Sequence, residues 1–398
     1  MSQSSPRPGA DIAASCDRKR LIERLQRLVR AESENPPGNE AQAGRVAAEL
    51  CREIGGEVEV HEAVAGRPSV VARWGTGEEP TVGFCSHIDV VPAGDRSLWD
   101  ADPYAAEIRD GRMLGRGSSD AKGPIAAALE AVEMVTAAGL PMAGTLELEL
   151  VADEEAMGFK GAGFLVEQNL IHPDLAIVGE PTSLRVVGAQ RGACWLTITT
   201  RGKAAHGSAP ERGRSAIAHM AEIVLRLEET LPDISHPVVG GPSINVGAIR
   251  GGEKVNIVPA RCEVQVDRRT IPEESRESVL DSIGAAIELA KHRFPDLDAV
   301  VEIDFFAEPF EVQEDSRVAR ALSAAIAEAT GKPAEVMGFR GASDARFLSE
   351  GGADVVVCGP GDISVAHTAN EFIDLAELER GAIAYAHAFS RLLAPSEK

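Results

Sequence analysis

Short apolar runs that read as strands alternate with helical periodicity along most of this chain, and that alternation restricts the fold more than any other feature. Leu21, Ile22, Leu25, Leu28 and Val29 share one helical face before NPPGN (Asn35 to Asn39) breaks the pattern, and a second helix runs through Val46, Leu50 and Ile54. EVEV, SVVARW and TVGFCS follow as strands, the last ending just before His87. A helix opens at Pro124, TLELELV alternates with period two, GAGFLVEQN is helical, and LAIVG (Leu175 to Gly179) reads as a buried strand. From about Arg191 the order becomes strand (CWLTITT), helix (Ser215 to Leu231, with Ile217, Met220, Ala221, Val224 and Leu225 on its apolar face), two strands (SINVGAI, CEVQVD), helix (Ser275 to Lys291) and strand (AVVEIDF). That β-α-β-β-α-β order is ferredoxin-like and forms a domain by itself. The alternation then resumes with a helix from Arg317 to Ala329, the strand ADVVVCG and a closing helix from Ala376 to Leu392. The expected organisation is an α/β domain of residues 1–188 and 306–398, interrupted by a smaller insertion of residues 189–305.

Lys plus Arg total 40 against 62 Asp plus Glu, a formal charge of −22 that repels nucleic-acid backbones and anionic lipid. Neither nucleic acid nor membrane is therefore expected as a partner. Six cysteines (Cys16, Cys51, Cys85, Cys194, Cys262, Cys358) are scattered without a C-x-x-C pair, which fits reduced thiols and a cytoplasmic setting. The N-terminus lacks the apolar core of a signal peptide, no apolar run approaches the roughly 18 residues of a membrane span, and about the first dozen residues are expected to fray.

Chemistry is signalled by position more than by spacing. His-x-acid triplets arise about 1.4 times by chance at this composition, so the spacing of His87 and Asp89 carries little weight. His87, however, follows directly on a buried strand, where open α/β sheets gather their ligands. Of the four Glu-Glu pairs (Glu78-Glu79, Glu154-Glu155, Glu228-Glu229, Glu273-Glu274), only Glu154-Glu155 ends a core strand. Glu180 follows LAIVG and His367 follows ADVVVCG, so four strand ends deliver His, Glu-Glu, Glu and His to one sheet edge. Asp120, in a Gly-rich turn ahead of a helix, is either part of this cluster or a helix cap. Packing Asp120, Glu154, Glu155 and Glu180 together calls for a cationic counter-charge, since like charges in a partly buried site cannot all ionise. Two histidines and three carboxylates suit a pair of Zn²⁺ ions with one bridging carboxylate and a further acid left to move protons, which is hydrolase chemistry.

The ordered segments SHIDVVP, GRGSSDAKG, ADEE, VGEPTS, RGKAAHGSAP and GPGDISVAH resemble the zinc-dependent amidohydrolase and peptidase family of acetylornithine deacetylase, succinyl-diaminopimelate desuccinylase, aminoacylase and bacterial glutamate carboxypeptidase. The resemblance covers nearly the whole chain after residue 20. It implies a mixed-sheet, aminopeptidase-like dizinc catalytic domain and an inserted ferredoxin-like domain that serves as lid and dimerisation unit of a homodimer. Two Zn²⁺ per chain are implied, with Co²⁺ or Mn²⁺ as substitutes: His87, Asp120 and Glu180 hold one, Asp120, Glu155 and His367 the other. Asp89 is implied to bond the far nitrogen of His87, Glu154 to act as general base, and His206 to reach the partner subunit's site and stabilise the oxyanion. Asn245 and Arg269 match substrate contacts, although Arg269 also reads as a strand-end salt bridge, and Arg191 stands where relatives carry a basic residue. GASDARF (Gly341 to Phe347) resembles the desuccinylases, whereas GPGDISVAHTANEF resembles the deacetylases. The implied activity is removal of an acetyl- or succinyl-type group from an N-acyl amino acid. A dipeptidase or carboxypeptidase on the same site, or a metal-dependent binding protein without catalysis, are the alternatives.

Overall fold

The structure, a computed structural model, describes residues 10–75, 77, 80–139 and 142–395. Residues 1–9 of the segment expected to fray, and the pair Glu78-Glu79, lie outside the described residues; Ala10–Ala14 is helical and Ile12 is buried. The chain forms two compact units, one of Met1–Val187, Val312–Met337 and Ser343–Lys398, the other of Gly188–Glu311 and Gly338–Ala342.

In the first unit the strands lie in the order Glu57–Glu62, Pro68–Gly75, Thr145–Val151, Thr81–His87, Leu175–Val178, Asp354–Val357. The first two pairings are antiparallel and the next three parallel, so the sheet is mixed. Register sets His87 against Val151, Cys85 against Val178 and Val178 against Val357. The four parallel strands therefore end at one edge. Three of them read as near-continuous apolar runs because both faces are covered, as parallel sheets require, whereas Thr145–Val151, equally buried, alternates and encloses Glu147 and Glu149.

Helix Lys122–Ala137 is buried at every residue from Lys122 to Val132, consistent with its lack of a polar face. It packs between Arg18–Arg30 and Leu375–Leu392. Arg18–Arg30 is amphipathic, opened by Asp17 accepting from the amides of Lys19 and Arg20; its buried Leu21, Leu25 and Leu28 each contribute about 1.5–3 kcal/mol. Glu130 of the buried helix is neutralised by Arg20 and Arg24, at 2.6 and 2.7 Å.

The second unit carries an antiparallel sheet in the order Ser243–Gly251, Arg261–Thr270, Gly192–Arg201, Asp298–Ala307, with helices Ala216–Leu227 and Arg276–Lys291 between strands, the ferredoxin-like arrangement. It extends to Glu311 and takes in residues 338–342, beyond the 305 boundary read from sequence, because Phe310–Glu311 pairs with Ala189–Gln190 and Arg191 N–H donates to the Phe339 carbonyl. The helix Ala216–Leu227 also turns a different face inward than its apolar pattern suggests. Ala216, His219, Met220, Ile223 and Leu227 are buried, while Ile217, Ala221 and Leu225 are exposed. A helix apolar on two sides offers periodicity no unique face. All six cysteines are free thiols.

Candidate metal centre

The ends of the parallel strands bring the sequence-derived residues of the first unit together. His87 closes the central strand and is buried. Its Nδ1 lies 2.9 Å from the Asp89 carbonyl oxygen and 3.6 Å from that residue's carboxylate. The Asp89 carboxylate also accepts from Asn35 Nδ2 (2.8 Å) and from the amides of Glu154 and Glu155 (3.2 Å each), so it ties the His87 strand to the acidic turn.

That turn is a single 3₁₀ turn, Glu154–Ala156, flanked by Asp153 and Met157 in left-handed conformations. Asp153 forms a 2.6 Å ion pair with buried Arg67, which is also hydrogen-bonded to Glu40. Asp120 does not cap its helix: Ala121 is the N-cap residue, with no side-chain cap. The Asp120 carboxylate instead lies between two imidazoles, Oδ1 at 3.2 Å from His87 Nε2 and Oδ2 at 3.4 Å from His367 Nε2. His367 Nε2 is also 3.1 Å from Glu155 Oε2. Ligand atoms of His87, Asp120 and Glu155 fall within 4.8 Å of one another. Glu180 is buried and interacts electrostatically with His87 and Asp120 but stands outside that tight group.

Electrostatics follow from burial and like charge. Burial raises the carboxyls of Glu154, Glu155 and Glu180, and neighbouring carboxylates raise them further: Glu180 and Asp344 beside Glu154, Asp120 beside Glu155 and Glu180. Burial opposes ionisation of Asp120 too, yet hydrogen bonds to His367 and His87 hold its carboxyl below the usual range. Hydrogen bonds to Asp120 and Glu155 carry His367 up to about 10, and His87 is also raised although burial works against its charge. The donor set is two imidazoles and carboxylates without thiolate, carrying more negative charge than its imidazoles balance. It fits divalent cations such as Zn²⁺, whose bonds to such donors are about 2.0–2.2 Å.

The other sequence-derived residues lie in the second unit. His206 is exposed, its Nδ1 2.7 Å from Ser208 Oγ. Asn245 is exposed on a strand, in register with Asp267. Arg269 pairs with Asp267 at 3.0 Å, the strand-end salt bridge of the alternative reading. Arg191 donates to the carbonyls of Val239 and Gly241 at 2.7 Å and so closes a turn, a use its sequence context did not suggest.

Several buried polar residues at the centre were not singled out from sequence. Lys122 donates to the Ala31 carbonyl (2.8 Å), and burial pulls its pKa down to about 7. Asp344, carried by GASDARF, is raised by burial to about 7. Glu371 lies in the HTANEF stretch that opens with His367, and an acid four residues after that histidine was the available signal. Arg67 and Glu40 stand in strand-entry and helix-entry positions that look like ordinary surface.

Comparison with known proteins gives a consistent result. Residues 83–391 match the profile described as Peptidase family M20/M25/M40. The chain is 33% identical over 320 residues to an acetylornithine deacetylase of Myxococcus xanthus, covering 78% of this chain and 80% of that protein. It is 32% identical over 325 residues to a succinyl-diaminopimelate desuccinylase of Bordetella petrii, covering 79% and 84%. Among solved structures, aminopeptidase PepT from Bacillus cereus superposes with a TM-score of 0.79 at 24% identity, covering 95% of this chain and 99% of that one, a likeness of fold.

Proposed function

The chain belongs to peptidase family M20/M25/M40, and from that premise we propose that it is a two-metal amidohydrolase that removes an acetyl- or succinyl-type group from the nitrogen of an N-acyl amino acid. The observation that carries the reading is the Asp120 carboxylate, with one oxygen facing His87 and the other facing His367. A carboxylate so placed suits a bridge between two cations. His87, Asp120 and Glu180 would hold one ion, and Asp120, Glu155 and His367 the other, Zn²⁺ in this reading with Co²⁺ or Mn²⁺ as substitutes. When bound, the ions supply Lewis acidity toward the amide carbonyl and the attacking water.

The residues of the chain do the rest. Glu154, on the same turn as Glu155 but not required as a ligand, takes a proton from the attacking water and returns it to the departing amine. Burial, with the Glu180 and Asp344 carboxylates beside it, raises its carboxyl above the usual range, the direction that a group passing a proton from water to amine requires. Asp89 fixes His87 through its carbonyl and the acidic turn through its carboxylate. His206 of a second subunit donates a hydrogen bond to the oxyanion. Asn245, Arg269 and Arg191 serve substrate recognition, the guanidinium of Arg269 being shared between Asp267 and the substrate carboxylate.

The inserted unit acts as lid and dimerisation domain, a role supported by the apolar side chains it leaves open. Leu225 is 66% and Ile249 57% exposed, apolar surface that a second copy of the chain would cover in such a dimer. The free thiols fit a reducing cytoplasm.

The test is a panel of N-acetyl, N-succinyl and N-formyl amino acids beside unblocked dipeptides, assayed with Zn²⁺, Co²⁺ or Mn²⁺. Cleavage of blocked amino acids is expected. Turnover confined to unblocked dipeptides would make the protein a dipeptidase instead.

A further inference from the structure

We propose that Glu371 is a positioning residue that clamps the Asp120 turn to the His367 loop, and so sets the affinity of the metal position built from Asp120, Glu155 and His367. The proposal rests on the two-metal reading above. Glu371 is 1% exposed. Its Oε1 accepts from the backbone amides of Ser119 (2.9 Å) and Asp120 (3.1 Å), while Oε2 pairs with Arg116 Nη1 at 2.6 Å. Its own carbonyl accepts from Gly115 N–H at 2.9 Å. One residue therefore grips the Gly115–Asp120 segment at four places.

The other end of the His367 loop is tied to the same segment. Asp362 N–H donates to Ser119 Oγ at 2.9 Å. His367 thus hangs on a loop whose two ends, Asp362 and Glu371, are both bonded to the turn that delivers Asp120. His87 and Glu180 need no such device, because each sits at or just beyond the end of a core strand whose register fixes it. His367 lies ten residues past Val357 and its side chain is 55% exposed. Without the clamp its distance from Asp120 and Glu155 would be free to vary. Arg116, held over the Trp99 ring at 5.2 Å, keeps the Glu371 carboxylate from being a lone buried charge beside Asp120.

A purely structural ion pair would behave differently from a positioning residue. Loss of a structural pair lowers the melting temperature and leaves the metal affinities of the folded protein alone. Loss of a positioning residue changes the affinities themselves, and partners one step behind a ligand typically influence metal affinity by about 10–100-fold. The experiment is calorimetric titration of metal-free wild type, Glu371→Gln and Glu149→Gln with Zn²⁺, repeated with Co²⁺ to follow the absorption of each equivalent, well below the melting temperature of each variant. Glu149 is a fully buried carboxyl within a strand and controls for replacement of a buried carboxyl by an amide.

Wild type and Glu149→Gln are expected to take up two equivalents with matching affinities. Glu371→Gln is expected to bind the first nearly normally and the second about 10–100-fold more weakly. Two unchanged affinities in Glu371→Gln would overturn the positioning role. Wild type that takes up fewer than two equivalents would overturn the two-metal reading itself, a different failure. Should Glu371→Gln not fold, Glu371→Asp, which draws the carboxylate back by one methylene, is judged by the same criteria.

Discussion

At the scale of single residues, the acids of the centre divide by environment into different chemical roles. Asp120 is held ionised by two imidazoles, whereas Glu154, Glu155 and Glu180 are pushed toward the protonated form by burial and by one another. Of these, Glu154 is the one the two-metal reading leaves free to move a proton. Glu154→Gln is nearly isosteric, keeps the turn's amide bonds to Asp89 and removes the base, so turnover is expected to fall by about 10²–10⁴-fold with metal content retained. Metal analysis alongside steady-state rates checks both halves, and near-wild-type turnover would move the base elsewhere.

The same shifts fix the sign of a pH effect. At neutral pH the metal-free site holds protons on His87 and His367 that ligands must lose, with the raised carboxyls adding to that load. Metal uptake should therefore release protons, and affinity should climb as pH rises through neutrality. For the metal-free protein the sign is opposite at His367: its carboxylate pairing contributes stability that is fully present below about 6.5 and is lost as pH rises through about 10. Calorimetry in buffers of different ionisation enthalpy measures the protons released. An observed heat that does not vary with buffer would contradict the prediction.

At the scale of elements, the sequence discloses strands better than it discloses what turns between them do. Three parallel strands are legible as apolar runs because burial on both faces demands them, the fourth, Thr145–Val151, by its period-two alternation, and the strand ends name His87, Glu154-Glu155, Glu180 and His367 without any knowledge of contacts. Asp120 is a different case: in sequence a cap and a member of the cluster look alike, and it is the geometry of the turn that sets its carboxylate between His87 and His367. Gly117 helps to make that turn, with φ +80° and no room for a Cβ, which would meet Val90 Cγ1 at 2.5 Å.

The hairpin Glu107–Arg109/Arg112–Leu114, extended by Phe372–Asp374, escapes a reading based on apolar runs because its strands are three residues long and mostly exposed. Its Asp110-Gly111 turn, with both residues at positive φ, was the available signal. Glu371 and Arg67 are hidden for another reason. A buried charge is recognised by its partners, and Arg116 and Asp153 lie 255 and 86 positions away along the chain.

At the scale of the whole molecule, the proposal that needs most from the assembly is the one placing His206 of one subunit in the active site of another. The sequence alone favours an exposed loop histidine, and His206 is exposed, bonded to Ser208 within its own turn. An imidazole donating to a tetrahedral oxyanion is worth roughly 2.7–4 kcal/mol, so His206→Ala should lower kcat by about 10²–10³ and leave metal content unchanged. A rate loss alone does not say which subunit supplies the histidine. Complementation does. When inactive His206→Ala is mixed with inactive Glu154→Gln under conditions of subunit exchange, one site of each mixed dimer draws Glu154 from the first chain and His206 from the second and is whole, while the other site lacks both. Random exchange makes half the dimers mixed with one good site each, so activity should return to at most about a quarter of wild type. If His206 acted within its own chain, every site would carry one of the two defects and mixing would restore nothing. Exchange demonstrated by differently tagged chains, without recovered activity, would therefore place His206 outside the partner's site, and full activity from a protein shown to be monomeric would do the same.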